Sequence, residues 1–297
     1  MAAKIVNPEI KPPLRQRSWG WPAVVNLSLG GAGAGLYLLG TWVSFRGSEM
    51  ALETQVVPFQ VLATLLVCVG FGFVALEAGR PLRAFRLAAK LPESWMSIES
   101  LSGFFFVVVG ISAFFTSNSL LYFSAVLAAL VLLISQGMMV YRARAMVVWN
   151  LWIIPVVFVT SGLMTACGLA LLNTHPYSAT LTIPTNAIFI FAILNLVVWF
   201  FYLRLGRGQF NPSVAFLQRP LILSLIVFIG HLLPMMILWS MPWVANVQNS
   251  ASLIVVLRIA SGLMLIVGGV SQKIGIVFAA GFFRPMVLTR QWQAPGN

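Results

Sequence analysis

In a chain of 297 residues that is 60% hydrophobic and 8% charged, few side chains can do chemistry. In the N-terminal half they are Asn26, Glu77, Glu99, Gln136 and Tyr141 with Arg142. A carboxylate can exchange a proton, an amide can donate and accept hydrogen bonds at once, and a phenol can do either. Each of these residues is set in apolar sequence. A charge at the centre of a lipid-embedded helix costs roughly 2.5–3.5 kcal/mol on insertion scales, so each is a candidate for a site. In the second half the corresponding residues are His231, followed by Pro234, then Arg258 and the amides Asn186 and Asn195. Their first reading is interhelical hydrogen bonding. The sharper one, for His231 and Arg258, is a buried polar path that hands protons between the leaflets.

The elements that must position these residues are membrane helices. A mean hydropathy of +0.94 is too high for a water-soluble domain of this size. The apolar stretches run for roughly 20 residues without the alternation that a barrel strand needs, so the expected fold class is an all-α integral membrane protein. Punctuation by charge, Pro, Gly and Asn places eight spans near 21–45, 54–78, 98–116, 119–140, 148–172, 184–203, 220–241 and 250–272.

The net charge of +12 would suggest nucleic acid in a soluble protein, but the positions of the 18 basic residues give another reason for it. Sixteen of them fall in five clusters: the N-terminal arm (Lys4, Lys11, Arg15, Arg17), the second-to-third connection (Arg80, Arg83, Arg86, Lys90), the fourth-to-fifth (Arg142, Arg144), the sixth-to-seventh (Arg204, Arg207, Arg219) and the C-terminal segment (Lys273, Arg284, Arg290). The alternate connections are nearly free of Lys and Arg. This is the positive-inside pattern for an even number of spans with both termini cytoplasmic, and it needs no nucleic acid. A polar arm over residues 1–18 leads into a first span too long for a signal h-region, so a retained first helix is expected. Lys273 is ambiguous, because the last helix either ends near it or continues toward Phe283.

On this topology Asn26 lies about one and a half turns into the first helix from the basic face. Glu77, Glu99, Gln136 and Tyr141 sit at helix ends on that same face, beside the Arg80, Arg83 and Arg86 loop. Taken singly, Glu77 or Glu99 reads as well as an interfacial carboxylate paired with Arg80 or Arg83. Gathered in one leaflet, the set suits a quinone-type ligand, which needs an apolar slot for its tail and hydrogen-bonding and proton-exchanging groups around its carbonyls. Gly30, Gly31, Gly33 and Gly35 read as a close-packing face and not a phosphate loop. Trp19, Trp21, Trp95 and Trp149 read as interfacial belt residues, with ring stacking by Trp95 the lesser alternative. Cys68 and Cys167 offer no disulfide framework or cluster ligation, and His175 and His231 cannot supply two axial haem pairs, so no haem or iron–sulfur cluster is expected in this chain.

Three stretches then resemble a known family. The first helix reads Trp21-Pro22 through Asn26 into the Gly30 to Gly35 series. The second connection reads Glu77-Ala-Gly-Arg-Pro-Leu-Arg83-Ala-Phe followed by Ser94-Trp-Met-Ser-Ile-Glu99. The third stretch runs from Tyr141 to Trp149-Asn150, then Pro155 and Ser161-Gly162. Together they resemble the NrfD-like membrane anchors of molybdopterin oxidoreductases, in the branch of the dimethyl sulfoxide reductase anchor subunit.

The resemblance implies two four-helix bundles, here residues 19–145 with a quinone site and 146–283, followed by a tail over 284–297. It implies a quinone or quinol partner, menaquinone or ubiquinone, at Arg83 and Glu99. Asn26 stands where a relative has a quinone-binding histidine, and Glu77 also replaces a histidine. It further implies an iron–sulfur subunit and a molybdopterin catalytic subunit docked on the N-terminal face, with Arg80, Arg86, Arg142 and Arg144 as the docking cations. A cytoplasmic docking face in the inner membrane points toward a sulfite-oxidising complex. The alternative class, a secondary transporter, should show inverted repeats and broken helices meeting at the midplane, and no convincing repeat is visible.

Overall fold

The computed structural model describes residues 9–11, 14–44, 57–77, 93–116, 118–173, 184–246, 250–283 and 286–288. Eight helices among them are long and apolar enough to cross a membrane. They are α1 (Trp21–Ser44), α2 (Val57–Glu77), α3 (Trp95–Thr116), α4 (Ser119–Tyr141), α5 (Ile154–Leu171), α6 (Thr185–Ala215), α7 (Pro220–Ala245) and α8 (Ala251–Ala279). Helices are the natural outcome, because lipid offers no partner to a backbone N–H or C=O and an α-helix satisfies each one internally.

Helices α1 and α5 form the spine: their spans are 78% and 72% buried, against 28% for α2. Helix α1 packs on α2, α4 and α5, α3 packs on α4, and α8 packs on α5 and α7. Small residues bring these backbones together. A methyl group on Gly33 would strike Ala63 O of α2, and one on Gly35 would press on Gly162 O of α5. Gly168 faces Gly262 between α5 and α8, and Gly230 faces Gly268 between α7 and α8. Lipid tails are as apolar as leucine, so such close approach is how membrane helices gain packing energy. The outward faces carry the large apolar side chains, for example Phe104, Phe115, Leu127 and Trp239.

One end of the bundle is stitched together. Strands β1 (Glu9–Lys11) and β2 (Met286–Leu288) pair antiparallel, with Ile10 opposite Val287. Gln16 N donates to Gly281 O at 2.8 Å, and Phe283 N donates to Leu14 O at 2.9 Å. The fourth-to-fifth connection joins them through the Met146–Phe283 bridge. This short ribbon is an addition to the expected all-helical plan. It joins the two ends of the chain on one face of the molecule.

Several boundaries differ from expectation: α5 begins at Ile154 and not near 148, α7 runs on to Ala245, and two further differences bear on the charged residues. Helix α6 continues past Arg204 and Arg207 to Ala215, so its last turns extend beyond the apolar stretch. Helix α8 runs to Ile274 and then through a π-helical turn, Gly275–Ala279, which resolves the ambiguity at Lys273. Lys273 lies inside the bundle at 1% exposure and does not belong to the basic surface. Trp149 also departs from its reading as a belt residue. It is fully buried, donates Nε1–H to Ile276 O at 2.8 Å and packs against Trp19. Trp21, at 61% exposure, does face outward.

Candidate functional site

Helices α1, α3 and α4 bring three of the anticipated residues together in the interior. Asn26 Nδ2 donates to Glu99 Oε1 at 2.7 Å, and Gln136 Nε2 donates to Asn26 O at 3.2 Å. The Gln136 side chain also lies alongside the Glu99 carboxyl group. All three are at most 3% exposed. The Glu99 partner seen here is an amide on a neighbouring helix. A carboxylate in this position can accept a proton, and the amides fix its orientation.

Gly30 and Gly31 make this arrangement possible. A methyl group on Gly30 would collide with Gln136 Nε2, and one on Gly31 would collide with the Lys273 ammonium. The side chains of α4 and α8 therefore enter a notch in α1 and reach its main chain: Gln136 reaches Asn26 O, while Lys273 Nζ donates to Leu27 O at 2.7 Å. The glycine series thus divides by role. Gly33 and Gly35 serve close packing, as read from the sequence, while Gly30 and Gly31 make space for polar groups.

Lysine 273 was not anticipated as a buried group. Among the described residues its ammonium has no carboxylate partner. Its other neighbour is the Phe158 ring, 5.7 Å away. The available signal was its setting, a lone cation after Gly268-Gly269 within an apolar run. Two oxygens of the cluster, Asn26 Oδ1 and Gln136 Oε1, are buried and accept no hydrogen bond. Buried acceptors left open in this way cost free energy until a donor reaches them, and their concentration beside a carboxylate is what a ligand bearing hydroxyl groups would satisfy.

Not every expected residue joins the cluster. The side chain of Tyr141 is half-buried against the second apolar core, with no hydrogen bond to Asn26, Glu99 or Gln136 among the described residues. Glu77 ends α2, and its side chain lies outside the described residues, as do Arg80, Arg83 and Arg86. Arg142 and Arg144 are exposed on the stitched face.

In the second half, His231 is fully buried in the π-helical stretch Ser224–Leu232 of α7. Its Nδ1 lies 2.7 Å from Ile226 O and its Nε2 lies 2.8 Å from Asn195 Oδ1, while Asn195 Nδ2 donates to Thr160 Oγ1 at 2.9 Å. Ile226 O can only accept, so a neutral ring carries its hydrogen on Nδ1. Nε2 then needs a donor, which the Asn195 amide supplies when its oxygen and nitrogen are exchanged, an assignment made from the network. The Thr160 hydroxyl can then donate to Asn195. This chain of three residues closes on itself across α5, α6 and α7. It does not include Arg258, which is half-buried on α8.

Among the described residues, eight helices long and apolar enough to cross a membrane, a buried carboxylate and amide cluster, and the segments before α1 and after α8 paired on one face define a polytopic helical membrane protein with an internal polar site. The family model of the DMSO reductase anchor subunit (DmsC) matches residues 16–272, and the chain belongs to that family. No curated protein matches the chain. Membership makes it the membrane anchor subunit of a molybdopterin oxidoreductase, a family that associates with catalytic molybdopterin and iron–sulfur subunits.

Proposed function

We propose that this subunit is also the quinone-reactive one, exchanging electrons between the membrane quinone pool and an iron–sulfur partner docked on the stitched face. The observation that carries the reading is the Asn26–Glu99 pair with its two open amide oxygens. A quinol at this site would donate its two hydroxyl hydrogens to two of the three acceptors there, Asn26 Oδ1, Gln136 Oε1 and the Glu99 carboxylate. Glu99 would exchange one of the two protons that accompany the two electrons, giving it up as the quinone is reduced, while the second comes from the aqueous side. The quinone supplies the two-electron chemistry. The protein residues hold the ring and exchange a proton with it.

The first four helices (19–145) carry this site, and 146–283 form the second bundle, interlocked with the first through Lys273 and α1. Arg83, which the family resemblance assigns to the ligand, adds a cation to the carboxylate. Arg80, Arg86, Arg142 and Arg144 form the docking surface. The basic clusters support a cytoplasmic stitched face, with the inner membrane as the membrane it spans. Cytoplasmic partners fit an oxidation that feeds electrons into the quinone pool, sulfite being the donor class.

The test is made on the assembled complex. Glu99→Gln and Arg83→Ala should lower quinone-linked turnover by at least about a hundredfold. Dye-linked activity of the partner subunits should persist. Quinone-linked turnover unchanged in both variants would overturn the assignment.

A further inference from the structure

A cavity lies away from the Asn26–Glu99 cluster. It is a cleft of about 800 Å³ at the stitched end, between the N-terminal arm, the start of α7 and the end of α8. Its walls are apolar, with Phe216, Ile222, Leu225 and Ile274 among the lining residues, and Arg15 and Arg17 also line it. Along α8 it extends from Ser271 to Ala279, roughly 12 Å at helical rise.

The arm that carries Arg15 and Arg17 is held in place. Gln16, between the two arginines, is buried: its side chain donates to Val277 O at 3.2 Å and accepts from Trp19 N at 2.9 Å. Arg15 Nε donates to Phe278 O at 2.7 Å, which leaves its terminal amino groups for an anion. A third guanidinium, that of Arg219, lies outside the lining but stands 4.9 Å over the ring of Phe216, which is part of it. The arm is therefore docked before any ligand arrives, which lowers the entropy cost of bringing its charges to the cleft.

We infer that this cleft binds an anionic diacyl phospholipid, its phosphate among Arg15, Arg17 and Arg219 and its acyl chains against the apolar wall. Basic pockets between membrane helices select anionic head groups in this way. Among the described residues no carboxylate lines the cleft, so none of them repels a phosphate or takes a proton from a quinol. That separates this site from the one proposed for the quinone, and it does not depend on that assignment.

The test is native mass spectrometry of the full-length chain in detergent with equal phosphatidylglycerol and phosphatidylcholine. Wild type should retain phosphatidylglycerol preferentially. Arg17→Gln and Arg219→Gln should each weaken that retention about fivefold, since one basic side chain near a lipid surface contributes about that factor. The Arg17→Lys/Arg219→Lys protein should keep the preference, which separates loss of charge from loss of fold. Leu225→Trp, which fills the cleft, should reduce binding of both lipids. Equal retention of the two lipids by wild type overturns the inference, as does undiminished selectivity in the glutamine variants. Crosslinks showing the cleft filled by a partner subunit's polypeptide in the assembled complex also overturn it.

Discussion

Asn26 on α1 and Glu99 on α3 meet through a 2.7 Å hydrogen bond between residues 73 positions apart in the chain. The bond places a carboxylate in the interior at a depth set by α1. Gln136 fixes that depth by taking the Asn26 carbonyl as its own acceptor. Three helices are thus registered by two amides around one acid.

Replacing Asn26 by Leu removes the donor and leaves the Glu99 carboxyl group buried without it. Truncating one partner of a buried hydrogen bond costs about 1–3 kcal/mol, more when the stranded group is charged. Thermal unfolding of the purified protein in detergent should show that loss. In the assembled complex, quinone-linked turnover should fall with dye-linked activity intact. An Asn26→Leu protein as stable and as active as wild type would remove both roles.

The helices and the basic end were legible in the sequence because hydropathy and charge are averaged over many residues. Asn26, Glu99 and Gln136 were legible because polar groups are costly in an apolar span. Lys273 was not, since the direction of a side chain depends on how α8 continues through its π-helical turn. Trp149 was misread for a related reason. Its position near a helix end suggested the membrane surface, but the fourth-to-fifth connection folds back under Ile276. The split among the glycines depends on which helix faces which, and one sequence does not contain that pairing.

The Trp149 indole supplies the next test. Trp149→Phe keeps most of the buried ring but deletes the Nε1–H donor, leaving Ile276 O short of a partner at the end of α8. The expected loss is about 1 kcal/mol of stability, the net worth of a typical hydrogen bond. Fluorescence should report the same site, because the Trp149 ring centroid lies 5.1 Å from that of Trp19. A stability identical to wild type would mean that water takes over the carbonyl.

The His231, Asn195 and Thr160 chain is self-contained, so its first role is to hold α5, α6 and α7 in register. Asn195→Leu strands His231 Nε2 and should destabilise the protein by about 1–3 kcal/mol. Quinone-linked turnover per folded molecule should stay at the wild-type level. A drop in turnover with stability preserved would instead show that protons pass through His231.

The notch at Gly31 makes the most specific demand on the fold. An added methyl group at this position meets the Lys273 ammonium, and the lysine cannot withdraw without giving up Leu27 O. Gly31→Ala should therefore cost about 1–3 kcal/mol, in the range of overpacking a filled interior. Lys273→Ala should also destabilise, by exposing Leu27 O and opening a cavity beside Phe158. If the two changes act on one shared space, the Gly31→Ala/Lys273→Ala protein will be more stable than the sum of the single losses predicts. The coupling should fall in the range of about 0.5–3 kcal/mol found for side chains in direct contact. Gly33→Ala, which presses on α2 at Ala63 O, serves as the control: it should be destabilising and strictly additive with Lys273→Ala. Additivity for Gly31 as well would show that the lysine does not occupy the notch.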